Sequence, residues 1–132
     1  MKLKKILFAV MLCGSMMCML FIAYASEDRA SPIFESGYVI TGSDLYTEFG
    51  ASTKKNVSNL YVSSVQLQEM DQNNAVVSSK SVTAPSYKVQ NDSNYTAWKT
   101  YTGTSGKRYR VKAVFYADGY YITRYSNIVT YQ

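Results

Sequence analysis

Residues Lys107–Tyr131 read KRYRVKAVFYADGYYITRYSNIVTY, and this stretch decides the fold. Tyr109, Val111, Ala113 and Phe115 alternate with Arg110 and Lys112, the period of two expected of a strand with one buried face. Those four residues form the structural stripe. Asp118-Gly119 is a strong signal for a two-residue turn, because a type I′ hairpin needs positive φ at both central positions. Gly119 meets that requirement without a Cβ penalty, and Asp118 tolerates the left-handed region. The return stretch, Tyr120 to Tyr131, is rich in Tyr, Ile, Val and Thr, which suit a pleated surface.

Two registers are open. If Asp118 and Gly119 alone make the turn, Ala117 pairs with Tyr120, Phe115 with Ile122, Ala113 with Arg124, Val111 with Ser126 and Tyr109 with Ile128. The other face then carries Arg110, Lys112, Val114 and Tyr116 beside Tyr121, Thr123, Tyr125 and Asn127. This register leaves Arg124 on the apolar side. A three-residue loop with a bulge would instead turn Tyr121, Thr123 and Tyr125 inward and Arg124 outward.

The order Tyr109-x-Val111-x-Ala113-Val114, then Gly119, Ser126 and Val129, resembles the last two strands of a fibronectin type III or related immunoglobulin-like sandwich. The resemblance implies that Tyr109 makes a tyrosine corner, its hydroxyl bonding back to backbone within Gly103 to Lys107. The chain also resembles small secreted proteins of Gram-positive bacteria that end in a similar Tyr-Arg-Val-Lys-Ala … Tyr-Ser … Val pattern. These resemblances cover about 25 residues, from Lys107 to Tyr131.

At the other end, Lys2, Lys4 and Lys5 precede an apolar run from Ile6 to Tyr24, and Ala23-Tyr24-Ala25 places small residues where a signal peptidase needs them. Residues 1–25 therefore read as a secretory signal peptide cleaved after Ala25, which makes the mature protein extracellular and free of the membrane. The competing reading is an uncleaved anchor, since roughly 18 apolar residues can span a bilayer. Cys13 and Cys18 both fall in this segment, so the mature chain has no disulfide and no thiol chemistry. Fourteen Lys and Arg less the three of the leader leave eleven against nine acids, a net charge near +2. No clustered basic face of the kind that binds nucleic acid is evident.

Between these ends, Ser26 to Ser36 reads as a flexible tail. Gly37–Thr41 and Asp44–Phe49 read as short strands, with Leu45, Thr47 and Phe49 on one side of the second. Gly50 to Ser58 reads as a polar connection. Leu60 to Met70 is the longest upstream strand; its apolar parity switches partway, which points either to a bulge near Ser63-Ser64 or to a strand covered on both faces for part of its length. A helix competes over that stretch, but the β-branched residues and paired serines disfavour it. Asp71 to Asn74 is a turn cluster, so Ala75 to Thr83 should pair antiparallel with the preceding strand. Pro85 to Ser93 reads as a loop, and Tyr95 to Thr102 as a strand with Trp98 opposed in parity to Tyr95 and Tyr101. The whole is an all-β chain, expected as an immunoglobulin-like antiparallel β-sandwich of about six to seven strands over residues 37–132.

The sequence contains no histidine. Ser-His-Asp and Cys-His catalysis and most transition-metal sites are thereby removed. No catalytic residue, metal site or cofactor is assigned. Asp44, Glu48 and Glu69 are the acids outside the tail and turns, and a carboxylate-only hydrolase would need a pair among them. The compositional anomaly is tyrosine: 13 in the chain, of which only Tyr24 lies in the leader. Tyrosine offers a large, stiff, amphipathic contact surface. Under the two-residue-turn register, Tyr116, Tyr121 and Tyr125 share a face with Arg110 and Lys112, a row suited to cell-wall glycan or an anionic surface protein. The same tyrosines also serve as plain strand formers. Trp98 is expected in the core. The functional expectation is a secreted, non-enzymatic binding or surface-interaction module. The alternative is a secreted bacteriocin-like or toxin-like effector.

Overall fold

The computed structural model describes residues 31–132, so the signal-peptide reading of residues 1–25 lies outside the described residues. Every regular element among the described residues is a strand: β1 Phe34–Thr41, β2 Tyr46–Val57, β3 Leu60–Met70, β4 Val76–Val82, β5 Lys88–Val89, β6 Asp92–Thr100, β7 Arg108–Ala117, β8 Tyr120–Tyr125 and β9 Val129–Thr130. They form two antiparallel sheets. One is three-stranded, in the order β1-β2-β6; the other runs β4-β3-β7-β8, with β5 pairing β3 and β9 pairing β7. The chain crosses between sheets at β2–β3, β5–β6 and β6–β7. The fold is thus the expected β-sandwich, with seven long strands and two two-residue bridges.

The hairpin of β7 and β8 takes the two-residue-turn register. Ala117 pairs with Tyr120, Phe115 with Ile122 and Ala113 with Arg124. Asp118 and Gly119 have φ of 44° and 90°, as a type I′ turn requires. Burial alternates without a break along β7, and Val111, Ala113, Phe115 and Ala117 are wholly buried. Across the sandwich they meet Leu45, Phe49 and Tyr95 in one core. Burying such side chains is worth about 1.5–3 kcal/mol each, and in a chain with no cysteine after Cys18 this core is the main source of stability. Leu45 is drawn in so fully that it adopts a left-handed φ of 59°, a backbone cost that burial of its side chain offsets.

Arg124, awkward in the sequence reading, reaches across to the neighbouring sheet, where its Nε donates to the Gly37 carbonyl at 2.9 Å. Tyr109 accepts the Thr104 N–H at its hydroxyl, 2.8 Å away, closing the corner between β6 and β7. Beyond β8 the expected register slips by one. The Val111 N–H donates to Ser126 Oγ at 2.7 Å, and that hydroxyl donates to the Asn127 carbonyl. The serine side chain thus takes a place in the ladder, an extra residue is accommodated, and Tyr109 pairs with Val129, not Ile128.

Three other boundaries differ from the sequence reading. The sheet begins at Phe34, inside the residues read as tail, because Ser31 Oγ accepts the Ile33 and Phe34 N–H groups and Phe34 is buried. Strand β2 continues through Gly50–Val57, where Thr53 and Val57 point inward while Ser52 and Lys54 face out; polar outward residues disguised it as a connection. Within the stretch read as a loop, Val89 is buried and β5 pairs with β3. The parity switch in β3 is the bulge anticipated near Ser63, between Val62 and Ser64 in the pairing with β7.

Trp98 corrects the sequence reading. It is 50% exposed on the outer face of the three-stranded sheet. Strand β6 turns Tyr95 and Ala97 inward, so the even-numbered side chains must point out. The indole finds its partner there, Nε1 donating to Glu48 Oε1 at 3.1 Å.

Candidate functional site

The outer face of β3, β7 and β8 carries the residues singled out from sequence. Alternation along β7 sends Arg110, Lys112, Val114 and Tyr116 outward. The hairpin register sets Tyr116 opposite Tyr121 and Lys112 opposite Tyr125, so the five expected residues share one surface. Strand β3 adds Tyr61, the cross-strand partner of Tyr116, and β5 adds Lys88, the partner of Tyr61.

The result is a ladder across four strands. Lys88 Nζ stands 4.3 Å from the Tyr61 ring centre. The Tyr61 and Tyr116 rings are 4.9 Å apart and tilted by 35°. Tyr116 and Tyr121 follow at 5.2 Å, edge to face. Such ring pairs contribute about 0.5–1.5 kcal/mol each beyond burial. Because Tyr116 is clasped between two neighbours, it presents its surface in a fixed orientation, and little freedom remains to be lost when something binds.

A few residues along the same strands, the face becomes polar and cationic. The Arg110 guanidinium lies 4.3 Å over the Tyr125 ring, with Lys112 Nζ at 5.9 Å from the same ring. Arg110 Nε donates to Gln68 Oε1 at 2.7 Å. Gln68 in turn donates to Ser79 Oγ, and Ser79 donates to Gln66. The Arg110 stem is thereby fixed while its two Nη groups carry no hydrogen bond among the described residues. The sole ion pair among the described residues is Lys107–Glu69, at 2.9 Å. Arg110, Lys112 and Lys88 therefore make no ion pair with any carboxylate among the described residues.

Sequence reasoning missed Tyr61, Lys88 and Gln68. The bulge between Val62 and Ser64 hides Tyr61, because its parity matches Gln66 and Gln68 only after one residue is skipped. Lys88 sits in a two-residue strand too short to read.

The acids considered for hydrolysis are dispersed. Glu48 is on the outer face of the three-stranded sheet, where it accepts Tyr38 and Trp98 hydrogen bonds. Glu69 belongs to β3 of the other sheet and pairs with Lys107. Asp44 accepts the Tyr46 N–H in the turn before β2. No group of three or more metal-binding side chains occurs among the described residues. Compared with known proteins, the chain matches no family model and no curated sequence.

Proposed function

We propose that the protein is a secreted, non-enzymatic binding module of the immunoglobulin-like class whose β3-β7-β8 face docks an anionic cell-wall glycan. The observation that carries this is the set of cations held against rings and unpaired among the described residues: Lys88 on Tyr61, and Arg110 with Lys112 on Tyr125. Aromatic faces stack on sugar rings, and the fixed guanidinium meets phosphate or carboxylate in two-pronged fashion. The strand order and the Tyr109–Thr104 corner support the resemblance to fibronectin type III domains.

Sedimentation of the protein with purified Gram-positive cell walls tests the proposal. Wild-type protein should co-sediment and be released by salt, since the cations face solvent. Tyr116→Ala, Tyr121→Ala or the double substitution Arg110→Gln/Lys112→Gln should weaken binding about five- to tenfold per lost contact. Retention of full binding by all three would refute it.

A further inference from the structure

On the opposite face of the sandwich a carboxylate sits among exposed aromatic rings. On β2, Glu48 is flanked by Ile40 of β1 and Trp98 of β6 in one cross-strand row. Its Oε2 accepts the Tyr38 hydroxyl at 2.8 Å, and its Oε1 accepts the Trp98 indole N–H at 3.1 Å. Tyr46 lies two positions along on the same face of β2. Tyr38, Ile40, Tyr46 and Trp98 are all substantially exposed, at 40–55%, which is a dense apolar cluster for a sheet surface. Glu48 makes no ion pair among the described residues. Lys54, the nearest basic residue on that face of β2, is six positions from Glu48, about 20 Å along the strand. Lys99 pairs with inward-facing Thr47, and lines a groove with Pro85, Tyr87 and Trp98.

We propose that Glu48, Trp98 and Tyr38 form a second binding site, for an organic ammonium group such as the trimethylammonium of choline. The two hydrogen bonds on Glu48 are from neutral donors, so they orient the rings and leave the negative charge in place. Each carboxylate oxygen keeps a further acceptor site. Both hydrogen bonds leave from ring edges, so an ammonium group would sit above them, ion-paired to Glu48 and against the exposed faces of Trp98 and Tyr38, as aromatic side chains hold quaternary amines. Ile40, across the strand from Glu48, offers apolar contact to N-methyl groups. An anion is repelled by the carboxylate.

Trp98 is the one tryptophan of the sequence, so its fluorescence reports the site directly. The full chain is titrated with choline chloride at constant ionic strength, and in parallel with the uncharged isostere 3,3-dimethylbutan-1-ol. The expected result is a saturable change with choline and binding of the isostere about tenfold or more weaker. Glu48→Gln should weaken choline to a similar degree. Ile40→Lys, at an exposed position opposite Glu48, should abolish the response by supplying an ammonium from within while leaving the thermal midpoint unchanged. Tyr116→Ala, on the other sheet, should leave the choline response intact, which separates this site from the glycan face. Equal affinity for choline and the isostere, no saturable change with choline, or undiminished choline binding by folded Glu48→Gln or Ile40→Lys would overturn the proposal.

Discussion

The Asn127 side chain lies against Thr41 as the backbone of a neighbouring strand would. Its Oδ1 accepts the Thr41 N–H at 3.0 Å, and its Nδ2 donates to the Thr41 carbonyl at 2.9 Å. Thr41 closes β1 at the edge of the three-stranded sheet, and Asn127 belongs to the corner where β8 gives way to β9. One amide thus satisfies both peptide groups of a buried edge residue and ties the two sheets together. Together with the Arg124–Gly37 bond it blunts an edge that would otherwise invite pairing with another chain.

Asn127→Ala should therefore destabilise the fold by about 1–3 kcal/mol, since it leaves a buried N–H and C=O unpartnered. Asn127→Asp should be at least as damaging, because a second carboxylate oxygen would face the Thr41 carbonyl. Chemical denaturation of the two variants beside wild type is the check; unchanged midpoints would show that water replaces the amide at no cost.

Asp118 couples the hairpin turn to the connection between β2 and β3. Its carboxylate accepts the Ser58 N–H at 2.9 Å and the Asn59 N–H at 3.0 Å, and these bonds hold its pKa below the usual 3.8. A depressed carboxylate stabilises the fold above its unfolded pKa and loses that contribution as pH falls through its folded pKa. Asp118→Asn keeps a residue suited to the turn but removes the charge. Its stability deficit relative to wild type should be present at pH 6 and shrink below about pH 4. A deficit that is constant with pH would contradict the assignment.

At the alkaline end the buried tyrosines dominate. Tyr95 donates to the Tyr87 carbonyl and Tyr101 to the Thr83 carbonyl, both at 2.8 Å. Burial pushes the Tyr95 phenol up to about 12 and Tyr101 up as well. A group whose folded pKa is raised contributes stability below its unfolded pKa, near 10 for tyrosine, and loses it as pH rises through the folded value. Ultraviolet titration should show Tyr95 and Tyr101 ionising only well above pH 10, and stability should decline above about pH 10. Uniform ionisation of all tyrosines with the fold intact would exclude this.

Gly50 is where the Tyr38 ring lies down on the sheet. A Cβ at Gly50 would collide with Tyr38 Cε1, so Gly50→Ala must lift the ring and break its hydrogen bond to Glu48. The phenol is the free end of an exposed side chain, and stability should change by less than about 1 kcal/mol. The Tyr38 pKa, held above 10.0 chiefly by the Glu48 hydrogen bond, should fall toward that value in an NMR titration. A variant with an unshifted Tyr38 would show that the ring can be accommodated in place.

The closing hairpin was legible because one face of β7 is wholly apolar and Asp118-Gly119 admits few turns; its register, one of two left open by the sequence, was not. Strand β2 was legible only to Phe49, since from Ser52 onward its outward side chains are as polar as those of a loop. The tyrosines of β7 and β8 could be placed on one face once a register was assumed. Their partner Tyr61 could not, because a bulge resets parity between it and the rest of β3. Trp98 was expected inside from its size, whereas its parity opposite Tyr95 already pointed outward. Pairings between distant strands, such as Glu48 with Trp98, leave no local trace in a sequence.

The central claim is that the ladder of Tyr61, Tyr116 and Tyr121, with Arg110 and Lys112 beside it, is where an anionic glycan binds. A two-dimensional NMR titration of the protein with soluble, phosphate-bearing cell-wall polymer tests it most directly. The account predicts shift changes concentrated on the outer face of β3, β7 and β8 that fade as salt is raised. Changes confined to the three-stranded sheet, or none at saturating polymer, would contradict it.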